Sequence, residues 1–531
     1  MEFCKLRQRT GGDERIFYRH RAKNTRRKAG NIADFCQRWG TRYDYMVVLD
    51  ADSLMTGEAL VRLVAAMEDN PDTGLIQTLP LLVNRNTLFA RAQQFAARIY
   101  GPVIAAGLAY WHLGDSNYWG HNAIIRLKAF VEHAGLPDLP GLPPFGGSIL
   151  SHDFVEGALM RRAGWKLYLT TEITGSYEES PPSLLDFAER DWRWCQGNLQ
   201  HSRVVPAAGL HWMSRLHLVM GIMSYLVSPI WLLFIVLWIL LALQAHFVRP
   251  AYFPKGFVLV PTWPVFDPQR ALQLFVGTMA VLIAPKVFGY ILLLKDRQTM
   301  RRCGGAVRTG MSVLVEIVLS SLILPVIMLT QSAMVLSIAT DRAVGWNTQR
   351  RDDSGIPLQV VVRRHFAHTL FGVGLAIVAY SASPVVFAWL SPVVLSLLYA
   401  IPISAATGWQ GLGRAVRRLG LLVTPEETEP PVVLRRANEL AHKLAESRAQ
   451  VADALERLAN DAALRAFHSA MLPQQPERHR GEFDVDLLLG LAKLAEANNV
   501  VEASIMLSSG EKLAVLSHWA ALSRLDQLTK T

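Results

Sequence analysis

Apolar and polar positions fall into three regimes along the chain. Up to about residue 205, short apolar runs alternate with amphipathic stretches. Tyr45-Met46-Val47-Val48-Leu49 is an apolar run that stops at carboxylates, which predicts a buried strand with polar residues at its C-terminal tip. Gly57 to Met67 has helical spacing, Gly74-Leu75-Ile76-Gln77-Thr78 predicts a second strand, and Ala90 to Tyr100 another amphipathic helix. Such alternation predicts a doubly wound α/β sheet.

From Leu216 the pattern changes. No Asp, Glu, Lys or Arg occurs between Leu216 and Val248, ample for one span of ~20 residues and an interfacial approach. Ala271 to Leu294 predicts a second span, interrupted by Pro285 and Lys286. Lys286 reads either as a snorkelling side chain or as part of a polar path through the membrane. Met311 to Thr340 is apolar apart from Glu316, with Pro325 near its middle; Phe366 to Ala382 and Val385 to Ala405 form a final pair. After Pro425 the chain is polar, with helical spacing from Val433 to Leu458. Glu426-Glu427-Thr428-Glu429-Pro430-Pro431 reads as a linker.

Charge orders these segments. Lys295 to Gly310 holds five Lys/Arg and one acid, and Asp341 to His365 five Arg and three Asp, so the positive-inside bias places both in the cytoplasm. The segment 311–340 then crosses an even number of times or none, which suits an interfacial or re-entrant helix. The expected organisation is an α/β region at 1–205, about four spans plus that segment at 206–410, and a helical cytoplasmic tail at 411–531.

Composition narrows the class. Of 531 residues, 51% are hydrophobic and 18% charged, with a mean hydropathy of +0.21, which excludes a disordered chain, a coiled coil and an ordinary cytosolic enzyme. The net charge of +10 matches basic cytoplasmic loops. Nucleic acid is not an expected partner, because the basic start (ten Lys/Arg against three acids in Met1 to Asn31) has few interleaved aromatics. A transporter would carry intramembrane polar constellations and repeated halves, and neither is visible. Four cysteines without metal-like spacing argue against a disulfide scaffold or zinc site.

Three clusters carry candidate chemistry. Asp50-Ala51-Asp52 follows the first strand; two carboxylates so placed can hold one divalent cation, Mg²⁺ or Mn²⁺, against a pyrophosphate, or form a solvated turn. Ser151-His152-Asp153 opens a helix after a Gly/Pro-rich loop, as an N-cap or as a general base. Arg190-Asp191-Trp192-Arg193-Trp194 interleaves cations that clamp phosphates with indoles that stack on sugars, or marks an interfacial helix.

Lys28-Ala29-Gly30-Asn31, Asp50-Ala51-Asp52, His152-Asp153 and Arg190-x-x-Arg193-Trp194, followed by membrane spans, resemble the processive family-2 glycosyltransferases, whose motifs read DxD, TED and Q/RxxRW in this order. The strings YMVVLDAD, YWGHNAIIR, GSILSHDFVEGALMRRAG and WCQGN resemble the branch that builds osmoregulated periplasmic glucans. The resemblance implies a GT-A-type fold, incomplete at its N-terminus, in the bacterial inner membrane with its catalytic domain and tail cytoplasmic. It implies inverting transfer of glucose from UDP-glucose to a growing β-1,2-linked glucan; another cellulose- or hyaluronan-type synthase, or an inactive fragment, is the alternative.

By the same resemblance, Asp50 and Asp52 hold metal and UDP-sugar, Asp153 is the base, Arg193 steadies the leaving pyrophosphate and Trp194 stacks under the acceptor. Arg190 stands where many relatives have Gln, and His152 replaces the Glu of TED. Lys28 falls on the nucleotide side; Gly120, His121 and Asn122 fall in an acceptor-side segment. Trp346 to Asp353, with Arg350 and Arg351, occupies the place of a gating loop. Relatives begin with further spans and a uridine-holding portion. The implied partners are therefore membrane lipid and a separate N-terminal half or a periplasmic glucan-processing protein.

Overall fold

The computed structural model describes residues 24–248, 268–340, 355–449, 453–472 and 483–519, with positions 6, 10–12, 14–19, 21, 521 and 522. The loop Trp346 to Asp353 lies outside the described residues. Two compact units are present, one from Ile32 to Leu434 and one joining Met1–Asn31 to Arg435–Thr531.

The first unit opens with helix α1 (Arg27–Trp39), which begins in the other unit, and the strands β1 (Tyr45–Val48) and β2 (Leu54–Met55). Then come α2 (Gly57–Asp69), β3 (Thr73–Thr78), β4 (Leu81–Leu82), α3 (Leu88–Ile99) and α4 (Gly101–His112). Strand β5 (Ala123–Arg126), α5 (Leu127–His133), α6 (His152–Arg162), β6 (Lys166–Thr170), β7 (Ser176–Glu178) and α7 (Leu184–Gln200) complete the α/β part. One sheet has the order β1-β5-β3-β6 and a smaller one β2-β7-β4. The larger sheet is mixed rather than purely parallel. Strand β5 runs antiparallel to both neighbours, pairing Val48 with Ala123 and Ile76 with Ile124, and only β3–β6 is parallel. Period-two alternation then explains the uniform apolarity: Leu75 and Ile125 pack on one face, Ile76 and Ile124 on the other, so both faces are buried.

Among the described residues, four helices are long and apolar enough to cross a membrane: α8 (Trp212–Phe247), α9 (Pro268–Lys295), and, after the short α10 (Arg297–Arg302), α11 (Ala306–Ala339) and α12 (Leu358–Ala382). A pair, α13 (Pro384–Leu398) and α14 (Ala400–Thr407), bends by 59° at its break. Helix α8 has 36 residues, well beyond the ~20 a bilayer needs. The surplus is a stalk, in which His217 and Leu218 are buried.

Helix α11 is continuous through Pro325, yet it touches the α/β part near both ends. At its start Val313 packs with Phe95, Ile99 and Tyr100; near its end Met334 and Ile338 pack with Cys195 and Leu199. Lys286 is ion-paired: its Nζ lies 2.6 Å from Glu316 Oε2, which also accepts from the Tyr100 hydroxyl at 3.2 Å. The chain returns to the α/β part after α14, where a Cβ on Gly408 would meet Ser183.

Helix α15 (Gln410–Arg418) packs on α3, and α16 (Pro425–Thr428) follows. The stretch read as a linker is instead clamped. Arg91, fully buried, donates to both carboxylate oxygens of Glu427 at 2.5 and 2.9 Å and to the Leu422 carbonyl at 2.6 Å. Arg98 pairs with Glu426 at 3.1 Å and Arg302 with Glu429 at 2.5 Å. Three acids in four residues of helix and cap find basic partners on helices already in place, so the first unit runs past the boundary expected at 410. Helix α17 (Val432–Ala449) leads into the other unit, where further short helices bury Leu455, Leu494, Ala503 and Val515.

The end of α4 is locked to the stalk: the His112 and His217 rings lie 4.3 Å apart, edge to face, and His217 Nε2 is 3.1 Å from the Asp115 carbonyl. Burial, with His217 adding to it and Asp115 opposing, pushes the His112 imidazole down from 6.5 to about 4. Between those values the unfolded chain binds the proton and the folded one does not, so stability falls as pH drops through that window, by up to ~1.4 kcal/mol per pH unit. Thermal melts of detergent-solubilised protein are expected to show this fall, and His112→Gln to flatten it; an unchanged slope would remove His112 as its source.

Candidate active site

The C-terminal tip of β1 carries the first carboxylates. Beyond Val48 the chain turns, with the Asp50 N–H donating to Ser53 Oγ at 3.2 Å and the Ser53 N–H to the Asp50 carbonyl at 3.0 Å. That turn presents Asp50 and Asp52 half-buried on one short loop. Beside it, Asn122 holds a left-handed φ of +52° that Asn tolerates better than most residues. Its N–H donates to the Val48 carbonyl at 2.7 Å, its side chain to Ser176 Oγ at 2.6 Å, and its carbonyl accepts from Thr78. Asn122 is thus fully buried and stitches β1, β3 and β7 together. The expected acceptor-side role does not match these contacts for Asn122.

Gly120 and His121 do face the site. Gly120 has φ +94°, and a Cβ there would lie 2.8 Å from Asp153 Oδ2. Only glycine lets the Asp153 carboxylate sit so close to this backbone. His121 Nε2 lies 3.3 Å from Glu178 Oε2 at the end of β7.

Glu178 was not among the residues singled out from sequence. It is a third carboxylate of the site, within the electrostatic reach of His121, Arg190, Asp52 and Asp50. Burial raises its pKa first of all, His121 and Arg190 oppose that shift, and the two aspartates add to it. Its sequence signal was position alone: an acid at the C-terminal end of a short strand, like Asp50.

Asp153 lies in the first turn of α6. The cap position belongs to Ser151, whose side chain makes no capping hydrogen bond, so Asp153 is not spent as an N-cap. His152 turns inward, with Nδ1 3.0 Å from Glu156 Oε1. The fully buried Tyr118 lies within the field of Glu156, Asp153 and Asp50; burial above all, and then these charges, push its phenol well above its usual range.

Helix α7 supplies the cations and fixes α6. A Cβ on Gly197 would fall 2.2 Å from Ser151 Oγ, His201 Nε2 is 3.0 Å from the Ser151 carbonyl, and Gln200 Oε1 accepts from the Leu150 N–H at 3.1 Å. One turn earlier, the Arg190 guanidinium lies 4.4 Å from the centre of the Trp194 ring, a cation–π contact that orients the indole. Trp194 is 48% exposed, and Arg193 is half-buried. Arg190 is pulled down by burial and held up chiefly by Glu178, Asp191 and Asp52. Lys28 lies on the first turn of α1, in the other compact unit. The structure therefore gathers Asp50, Asp52, Gly120, His121, Asp153 and Arg190, and adds Glu178.

Residues 45–265 match the family model described as glycosyl transferase family group 2. The chain is 51% identical over 516 residues to glucans biosynthesis glucosyltransferase H of Rhodopseudomonas palustris strain CGA009, covering 97% of this chain and 71% of that protein. The proteins of the same name from Shewanella oneidensis and from Shewanella sp. strain W3-18-1 are each 50% identical over 528 residues, covering 99% of this chain and 72% of theirs. The chain belongs to the glucans biosynthesis glucosyltransferase H family. As a member of that family it is a glycosyltransferase, and its α/β part followed by apolar helices is the arrangement expected from the residues. The matched segment holds every site residue named above except Lys28, which lies before it, and it runs through the first membrane helix. In this glucosyltransferase family member the two clusters around Asp50 and Asp153 meet at one end of the larger sheet, with Tyr118 buried between their fields.

Proposed function

We propose that this chain transfers glucose from UDP-glucose, with inversion, to a growing β-1,2-linked glucan at the bacterial inner membrane. The observation that carries this reading is the convergence of Asp153, Gly120, Asp50, Asp52, Glu178 and Arg190 on one site. An acceptor hydroxyl attacking the anomeric carbon must lose a proton, and in this reading Asp153 takes it. The leaving UDP gains negative charge, and Arg190 with Arg193 meets that charge without covalent chemistry. Trp194 offers an exposed indole face to the acceptor sugar.

Asp50 and Asp52 fit a divalent cation. Among the described residues no group of three or more His, Cys, Asp or Glu could hold a metal alone, and Mg²⁺ commonly takes one or two carboxylates with phosphate and water completing its shell. Bound there, Mg²⁺ or Mn²⁺ would neutralise diphosphate charge.

Contacts between the helices and the α/β part support the proposed membrane arrangement. Helix α8 leaves the α/β part and α9 comes back to it at Gly289, whose Cβ would meet the Ile99 carbonyl at 2.5 Å. Helix α12 leaves and α14 returns. In this reading α11, although long and apolar enough to cross, is held by the α/β part near both ends and lies along the membrane surface; α8, α9, α12 and the bent pair α13–α14 then make four crossings, with the α/β part, both basic stretches and the tail cytoplasmic.

Labelled glucose should pass from UDP-glucose into a product whose linkage analysis gives β-1,2 bonds, in membranes holding this chain and an N-terminal half from a longer relative. Label in β-1,4 or lipid-linked product would sink the linkage; no label despite association of the halves would sink the donor. Within this reading, Glu178→Gln is expected to cost about tenfold in kcat/KM, since a hydrogen-bonded charge is worth roughly 1.5–3 kcal/mol. Unchanged kinetics would make Glu178 a bystander.

A further inference from the structure

We propose that the basic cleft at the end of α9 is a binding site for a phosphate anion, filled in the membrane by the headgroup of an anionic phospholipid. The cleft has a volume of about 370 Å³ and is lined by Arg297, Gln298, Arg301, Arg302 and Glu429. Its position is set by the chain. Helix α9 runs as a membrane helix to Lys295, and Asp296 then caps α10 by accepting from the Gln298 and Thr299 N–H groups at 3.1 Å each. That cap starts α10 immediately after the apolar helix ends, so in the membrane arrangement proposed above its arginines fall at the headgroup boundary.

The charge in the cleft is unbalanced. Three guanidiniums face one carboxylate, that of Glu429, which is already paired with Arg302 at 2.5 Å. Among the described residues, Arg297 and Arg301 have no carboxylate within ion-pair distance, and the Nε of Arg302 is buried without an acceptor. Asp296 spends its carboxylate on the helix cap. Guanidinium forks match phosphate oxygens in pairs, and here two are unpaired and a third has a donor to spare.

Apolar neighbours point to lipid over a soluble phosphate. Leu294 at the end of α9 and Val307 and Met311 at the start of α11, flanking α10 in the chain, are 43%, 78% and 50% exposed. A phosphate seated on the arginines would leave its acyl chains to cover these side chains, whereas inorganic phosphate would leave them in water. A basic loop obeying the positive-inside bias alone spreads its side chains into solvent; here they converge on one cleft.

The test uses the full chain in nanodiscs, with retained lipid counted by native mass spectrometry. The probes are phosphatidylglycerol, phosphatidylcholine and, in detergent, inorganic phosphate. Phosphatidylglycerol should be held selectively, and the double variant Arg297→Gln/Arg301→Gln should weaken it about 25-fold, at about fivefold per arginine at a membrane surface. Glu429→Gln should strengthen it, a change that a misfolded cleft would not give. Equal retention of phosphatidylglycerol and phosphatidylcholine, or retention unaffected by the double variant, would overturn the proposal. Saturation by inorganic phosphate with no lipid preference would overturn its lipid part and leave a soluble-anion site.

Discussion

Asp153→Asn is expected to abolish glucosyl transfer, lowering kcat by roughly 10²–10⁴-fold while leaving donor binding and folding in place. Asparagine keeps the shape of the side chain, so the contact with Gly120, where a Cβ would lie 2.8 Å from Oδ2, is undisturbed. What is lost is the ability to accept a proton at that atom. The N-terminus of α6 is held from outside by Gly197, Gln200 and His201, so the change should not move the helix. Rate and donor affinity measured together decide the matter. A loss below tenfold would take the base away from Asp153, and loss of donor binding in parallel would make it a binding group instead.

The second large effect is on stability, far from the chemistry. Glu427→Ala should destabilise the first unit by about 3–5 kcal/mol, because it strands the buried Arg91 guanidinium without its carboxylate. Arg91 would keep only the Leu422 carbonyl as an acceptor. Replacing both partners by leucine should restore much of the loss, since apolar side chains of similar volume cost little where a buried pair once stood. Thermal melts and hydrogen exchange of α3 read this directly. If the single and double variants lose equal stability, the pair is not what holds α3 to the 421–429 segment.

Much of this architecture was legible in the residues. A run such as Tyr45 to Leu49 ending at Asp50 and Asp52 can hardly be anything other than a buried strand with a carboxylate tip, and the charge-free stretch after Leu216 has to find an apolar environment. Asp153 and the Arg190–Trp194 cluster were legible by motif. What escaped were features made by tertiary contact. Glu178 reads as one of two adjacent acids until β7 sets it beside His121 and Arg190. Glu426 to Glu429 has linker composition, and only the placing of Arg91, Arg98 and Arg302 turns it into a clamp. The antiparallel β5 was hidden because an apolar run looks the same in either direction. Lys286 and Glu316 lie thirty residues apart on separate helices, so their pairing carries no local signal.

Asp191 follows Arg190 directly on α7, and its carboxylate is spent entirely on membrane helices: it accepts from the Tyr225 hydroxyl of α8 at 2.8 Å and from Gln331 of α11 at 2.8 Å. The guanidinium proposed to meet the leaving diphosphate is therefore one peptide bond from a residue anchored on α8 and α11. On the proposed reading, a tilt of α8 that matches a thicker or thinner hydrocarbon layer would act on Asp191 and so on its neighbour Arg190. Catalytic rate in this enzyme should then vary with acyl-chain length, as in a mechanical gauge whose pointer is Arg190.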